Sequence, residues 1–279
     1  KTLEYFAPEL KDNGLRLAVA GRVSGYVDNF SINTLRFSSA DGGFSGFING
    51  KMTGLPEIEK TQIAATIKGL NFTSEGLSHF LSHWMKNGEL DLSRFAKGIT
   101  FMTDAQTEGQ LNDLGIKAGV TTLIGRVTTD VRIRNIVSQD EPMQIKGEAE
   151  TENLDIGKVI GNALIGPVSL RTGMQATLGK PASFRIDSLF VDRLMFNGYD
   201  YTGLMAAGSL SDNMFNGRIV ANDPNLNAWL QGGFALSSKT HNARYQFYAH
   251  VSDADLNALN IDKRGRSKIR FSTNANFTR

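Results

Sequence analysis

Apolar residues occupy alternate positions in segment after segment of this chain, and glycine repeatedly takes an apolar-phase slot where a large side chain would be expected. Leu15, Leu17, Val19, Gly21, Val23, Gly25 and Val27 share one parity, against Arg16, Arg22, Ser24 and Asp28 on the other. A period of two places each set on its own face of a β-strand. The phase returns in Phe44, Gly46, Ile48 and Gly50, and in Leu123, Gly125, Val127, Val131 and Ile133. It returns again in Leu204, Ala206, Gly208 and Leu210, and in Leu226, Ala228, Leu230, Gly232, Phe234 and Leu236. Glycine weakens a strand, so its recurrence needs a compensating reason. On the concave side of a bent sheet side chains converge, and a missing Cβ relieves both crowding and backbone strain. The expectation is one long, sharply curved sheet.

Composition agrees with a β protein. Of 279 residues, 29 are glycine and only 6 proline, as long strands joined by glycine turns require. With 30 basic and 28 acidic residues the net charge is +2, so no global field attracts nucleic acid or an anionic membrane. Cysteine is absent, which removes disulfides and thiolate metal sites while leaving the compartment open. No run of apolar residues approaches membrane-spanning length. The chain begins at Lys1 and stops at Arg279 within a strand pattern, and is read as a piece of a longer protein.

Residues 1–14 carry a weak amphipathic segment that breaks at Asn13-Gly14. Strands are predicted at 15–28, 30–38, 43–53, 61–71, 97–103, 107–112, 115–124, 126–137, 143–151, 167–178, 183–196, 202–210, 213–222, 225–236, 243–252 and 267–277. Turn formers separate them at Asp41-Gly42-Gly43, Asn162, Gly179-Lys180-Pro181, Asn197-Gly198, Asp212-Asn213 and Asp223-Pro224-Asn225. Three stretches share letters and context: 65–71, 149–155 and 249–255 each lead from a strand into a short helix-like run, at Ser74 to Met85, Ile156 to Gly161 and Asp255 to Leu259. They predict loose repeats over about 15–85, 97–161 and 167–261 within a single body, 1–279.

No residue pattern builds an active site. His79 and His83 stand at i and i+4, a spacing that chelates zinc, but no carboxylate accompanies them, and Leu77, Phe80, Leu81 and Trp84 make the stretch a packing stripe. His241 and His250 are isolated. The glycines at 42, 43, 46 and 50 lack the Gly-Lys-Ser/Thr ending of a phosphate cradle and lead into a strand, hence a hairpin. Glu148, Glu150 and Glu152 alternate with small residues as an outward row, and Asp223 belongs to a turn. Neither a catalytic residue nor a cofactor or metal site is expected.

The apolar phase itself is the candidate site. Roughly two dozen large side chains on one face amount to about 2,000 Å² at ~100 Å² each, whereas soluble monomers rarely expose more than a few hundred. Either the sheet closes over its own side chains or it forms a trough that an apolar ligand partly fills. The predicted lining, strand by strand, is Leu17, Val19, Val23 and Val27; Phe44 and Ile48; Ile63 and Ile67; Val127, Val131 and Ile133; Leu204 and Leu210; Phe215 and Ile219; Leu226, Leu230 and Phe234; Tyr245, Phe247 and Val251; Ile269 and Phe271. The three helix-like runs are too small to cover it.

The run Gly21-Arg-Val-Ser-Gly25-Tyr-Val-Asp-Asn-Phe30, with Gly46-Phe-Ile-Asn-Gly50-Lys-Met-Thr-Gly-Leu-Pro56 and Thr61-Gln-Ile-Ala64, resembles the translocation and assembly module TamB family of Bacteroides-type bacteria. So do Asn197-Gly-Tyr-Asp-Tyr201, Gly208-Ser-Leu210, Phe215-Asn-Gly217 and Asp223-Pro-Asn-Leu226. These motifs are turns and strand glycines, so they speak to architecture. The resemblance implies an all-β fold: an elongated, curled antiparallel β-sheet groove with a few short helices, akin to bridge-like lipid transfer proteins. It implies a periplasmic protein tethered to the inner membrane in full-length form, with an outer-membrane barrel partner. It implies a conduit that shields phospholipid acyl chains between the two membranes, with the alternative of a scaffold that assists outer-membrane protein assembly by strand augmentation.

Overall fold

The computed structural model describes residues 17–40, 42–76, 78, 97–136, 138, 140–179, 182–211, 214–235 and 243–278. Sixteen strands form one antiparallel sheet. The first half comprises β1 (Leu17–Tyr26), β2 (Asn29–Ser39), β3 (Phe44–Thr53), β4 (Gln62–Thr73), β5 (Thr100–Gln110), β6 (Asp113–Thr122), β7 (Gly125–Arg134) and β8 (Met143–Asp155). The second comprises β9 (Ile165–Leu178), β10 (Ser183–Phe196), β11 (Tyr199–Tyr201), β12 (Leu204–Ser211), β13 (Met214–Asp223), β14 (Leu226–Ala235), β15 (Arg244–Asp255) and β16 (Lys268–Thr278). Each strand pairs with the next in sequence, except that the three-residue β11 folds back on β10 and β12 takes its place in the order. The path is open, with β1 and β16 at its ends. A short helix α1 (Ile156–Ile160) and a 3₁₀ turn at Ile58–Lys60 are the helical elements with defined bounds. The fold is therefore all-β and antiparallel, as the alternation requires.

Contacts divide the described residues into two units, one built on β1 to β5 and one on β7 to β16, with the boundary inside β6. Directly opposed residues of an antiparallel pair project to the same face, so the register shows which side chains share a surface. In the first unit the rows across the strands read Val23, Ile32, Gly50, Ala65, Thr107 and Gly25, Phe30, Met52, Ile63, Gly109. A third row joins Leu35, Ile48, Ile67 and Ala105. Apolar and small residues thus occupy one face through all five strands.

That continuity depends on β-bulges. On β2 the apolar positions are even up to Ile32 and odd from Leu35, because Thr34 (φ 50°) is inserted there. Gly69 (φ 55°) does the same on β4 and Asn153 (φ 47°) on β8. Each inserted residue has its amide N–H accepted by a side chain from the next strand. Thr34 donates to Asn49 Oδ1 at 2.7 Å, Gly69 to Asp104 Oδ1 at 2.9 Å and Asn153 to Ser169 Oγ at 3.0 Å. A bulge leaves one donor without a ladder partner and increases local twist, so a side-chain acceptor both satisfies the group and pins the step. The donated bond from Gly69, followed by the Lys68 ammonium at 2.9 Å, holds the Asp104 carboxyl below its ordinary value.

Two of the three stretches matched by sequence share this device. The bulge falls at the fifth position of these two, on Gly69 and Asn153, and at Ser252 and Asp253 in the third, and the last residue of each strand caps a turn. Thr73 Oγ1, Asp155 Oδ1 and Asp255 Oδ1 accept the N–H three residues on, from Gly76, Lys158 and Ala258, each at 3.0 Å. The same capping residues donate their own N–H groups to turn carbonyls of Gly43, Ile124 and Asn225.

Three expectations need correction. The predicted break between 103 and 107 does not exist, since β5 runs unbroken through Asp104. Val27 lies in the β1–β2 turn, 51% exposed and outside the ladder, because the strand ends at Tyr26. The predicted 197–198 turn is real, with Asn197 (φ 50°) and Gly198 (φ 78°) both left-handed, but it leads into β11, which the alternation did not reveal. The segment 1–14, His79, His83 and most of the predicted Ser74 to Met85 helix lie outside the described residues, as do Leu15, Leu236 and His241.

Candidate functional site

In the second unit the apolar face forms rows that cross nine strands. One reads Val127, Thr151, Leu170, Val191, Leu204, Ala221, Ala228, Val251, Phe271. The next reads Thr129, Ala149, Thr172, Leu189, Ala206, Ile219, Leu230, Ala249, Thr273. A third joins Val131, Gly147, Met174, Ile186, Gly208, Gly217, Gly232, Phe247 and Ala275, and a fourth runs from Ile133 and Ile145 through Ala176, Phe184, Leu210, Phe215 and Phe234 to Tyr245. All the residues predicted from strands in this unit lie on this one face; Leu226 and Ile269 meet through Ala254 beyond the first row.

Accessibility differs along the rows. At one end the turn after β15 folds back, with the Leu259 N–H bonded to Asp255 O at 2.9 Å, and inserts the Leu259 side chain, 1% exposed, against Tyr201 and Ala254. Leu194, Leu204, Leu226, Val251, Leu256 and Ile269 pack around them. The short run read as too small to cover the face therefore closes this end. Asn197 and Asn260 fasten the turn to the β10–β11 hairpin, each side-chain amide donating to the other's backbone carbonyl.

Beneath this cluster Asp223 is buried and accepts four hydrogen bonds: Tyr199 Oη at 2.6 Å, Thr202 N–H at 2.8 Å, Asn225 N–H at 2.9 Å and Thr202 Oγ1 at 3.1 Å. Burial by itself raises its pKa, but donation from Tyr199, Asn225 and Thr202 outweighs that, and the carboxyl sits below its ordinary value. Burial, then donation to Asp223, raises the Tyr199 phenol. This carboxylate is a fastening, as its place in a turn suggested.

Away from that end the rows are open. Leu210 (42% exposed) and Ile219 (37%) stand in solvent, and Phe215, Leu230, Phe234, Tyr245 and Phe247 are only half-buried. Elements in dense contact are neighbours within the sheet. What shields them is lateral. Phe215 and Phe234 rings lie 5.0 Å apart, and the Phe215 ring extends across the adjoining glycines. A Cβ on Gly208 or Gly217 would come within 2.6 Å of Phe215 Cζ, so these glycines make room for a ring laid flat along the strands.

In the first unit the predicted Leu17, Val19, Val23, Phe44, Ile48, Ile63 and Ile67 again share a face. Phe44 is buried, while the edge-strand residues Val19 and Val23 are exposed. Phe72 stacks on Phe101 at 5.0 Å in the same face.

The reading of residues missed the contributions of β2 and of β8 to β10. On β10 the inward residues are Phe184, Ile186, Leu189, Val191 and Leu194, spaced by two, three, two and three. Bulges at 187 and 192 produce that rhythm, which imitates a helical period and hides the strand phase.

The opposite face carries the charged residues, together with one row in which Phe190, Met205, Val220 and Trp229 are aligned. Arg171 reaches Asp192 at 3.4 Å and Arg193 holds Asp200 through Nε and Nη2 at 2.9 and 3.0 Å. Glu148, Glu150 and Glu152 are exposed here, as their alternation requires. Among the described residues no group of three His, Asp or Glu side chains is placed to hold a metal ion. Comparison with models of known protein families, with curated proteins and with solved structures finds no match.

Proposed function

We propose that the apolar face binds the acyl chains of phospholipids and shields them from water during transfer across the periplasm. The observation that carries this reading is the set of four apolar rows, three crossing nine strands of one unit and the fourth eight, whose central residues keep part of their surface in solvent. Rows of aliphatic, aromatic and small residues, whose polar side chains are four threonines and Tyr245, offer burial and little directional recognition, which suits a flexible hydrocarbon chain. At ~25 cal/mol per Å², an 18-carbon chain transferred from water gains about 0.8 kcal/mol per methylene buried. Head groups remain in solvent, and the absence of a fixed polar clamp on the rows favours movement along the face over capture at one point. The resemblance to the TamB family supports the periplasmic setting, the inner-membrane tether and the barrel partner.

The test is a photocrosslinking residue at position 230, in the centre of the open rows, with position 231 on the opposite face as control. Phospholipid recovered at 230 and not at 231 supports the reading. Equal recovery at both positions, or none at 230, overturns it.

A further inference from the structure

The polar face changes character between the two ends of the second unit. In β6 to β11 several of its charged groups meet in pairs, Lys117 with Asp130 at 3.1 Å, Arg171 with Asp192 and Arg193 with Asp200. In β13 to β16 three rows on the same face carry no carboxylate: Asn216, Gly233, Gln246, Asn276; then Arg218, Gln231, Tyr248, Asn274; then Val220, Trp229, His250, Ser272. Five of these twelve positions are Asn or Gln, and all five are exposed. Asparagine is depleted in strands, so local preference does not account for Asn216, Asn274 and Asn276.

The amides surround an aromatic platform. Tyr248, 40% exposed, lies 5.0 Å from Trp229 at an interplanar angle of 30°, and the Arg218 guanidinium covers Trp229 at 5.5 Å. His250 is held beside them by Ser272 Oγ at 2.7 Å. Gly233 forms the floor: a Cβ there would meet Asn216 Oδ1 at 2.3 Å, so the amide lies over the glycine. Asn216, Trp229, Gln231, Gln246, Tyr248 and Asn274 border an open concavity of about 410 Å³, within the ~300–1,000 Å³ of small-molecule sites.

From these groups we infer a binding site for a neutral oligosaccharide on the face opposite the acyl-chain rows. A sugar ring presents one patch of C–H groups and a rim of hydroxyls that both donate and accept. Tyr248 offers an aromatic face to the first, and side-chain amides, which also donate and accept, match the second. The absence of carboxylates from the three rows selects against cationic ligands, and the Arg218 guanidinium is occupied over the Trp229 ring. The inference is independent of lipid binding, because the two sets of side chains project to opposite faces.

Trp229 provides the readout. The chain has two tryptophans, so Trp84→Phe leaves Trp229 as the sole emitter. In that background, cellotriose or chitotriose produces a saturable change in emission, half-complete between about 1 and 10 mM. Tyr248→Ala and the exposed Gln231→Ala each weaken it about tenfold, while Glu150→Ala, exposed on β8, leaves it unchanged. No saturable change with either sugar up to about 50 mM, or a change that persists in both Tyr248→Ala and Gln231→Ala, overturns the inference.

Discussion

Two ends of the same apolar rows are built alike in backbone and differently in what lies over them. At the Leu259 end, a turn capped by Asp255 and tied down by Asn197 and Asn260 converts strand residues into a closed core. A few residues along the same strands, Leu210, Ile219, Leu230 and Phe234 face outward with only lateral neighbours. The difference shows that apolar patterning selects a face, while closure needs a further segment returning over it. Stability and binding capacity are therefore separable along one strand.

That separation can be broken most severely at Leu259. Leu259→Ala should cost about 3 kcal/mol in urea denaturation, within the ~2–5 kcal/mol typical of buried leucines. Leu230→Ala should cost under about 1 kcal/mol, since its side chain already meets solvent; an equal loss at both sites would mean the open rows are covered. Next in size, Asp223→Ala strands the Tyr199 hydroxyl and the Thr202 and Asn225 amides and should cost about 2 kcal/mol.

The same group sharpens the comparison through pH. The native Asp223 carboxyl lies below its ordinary value, so its contribution is fully present above about pH 4 and disappears as pH falls through the lower native pKa. Below about pH 4 the Asp223→Asn variant should lose stability less steeply than the parent, measured by denaturation at successive pH values. The smallest effect belongs to Val27→Asp, in the exposed β1–β2 turn, which should stay within about 0.5 kcal/mol and leave lipid crosslinking at position 230 unaltered.

Most of the sheet was legible because its hydrophobic period is two and its turns use Asn, Asp and Gly. On β7 and β14 the period runs unbroken, and Val127, Val131, Leu226 and Leu230 fall on the face that alternation assigns. Besides the bulged β10, legibility failed at Val27, on β5 and at Leu259. Val27 continues the parity of β1 after the chain has entered a turn, so pattern alone overran the strand. β5 carries Thr103, Ala105, Thr107 and Gly109 inward, small residues that give no hydrophobic signal although Ile63, Ala65 and Ile67 opposite them do. The closing role of Leu259 was invisible because it depends on where a turn folds back, and nothing in the five residues from Asp255 to Leu259 encodes a distance to Tyr201.

The bulges at Thr34, Gly69 and Asn153 have a further consequence. Each acts as a parity switch: residues before it and after it must obey opposite odd-even rules to keep the same side inward. A one-residue insertion or deletion near such a point can be absorbed by gaining or losing the switch, whereas the same change in an uninterrupted strand inverts everything beyond it. Asn49, Asp104 and Ser169, which hold the switches from the neighbouring strands, thereby set where the chain tolerates a change in length.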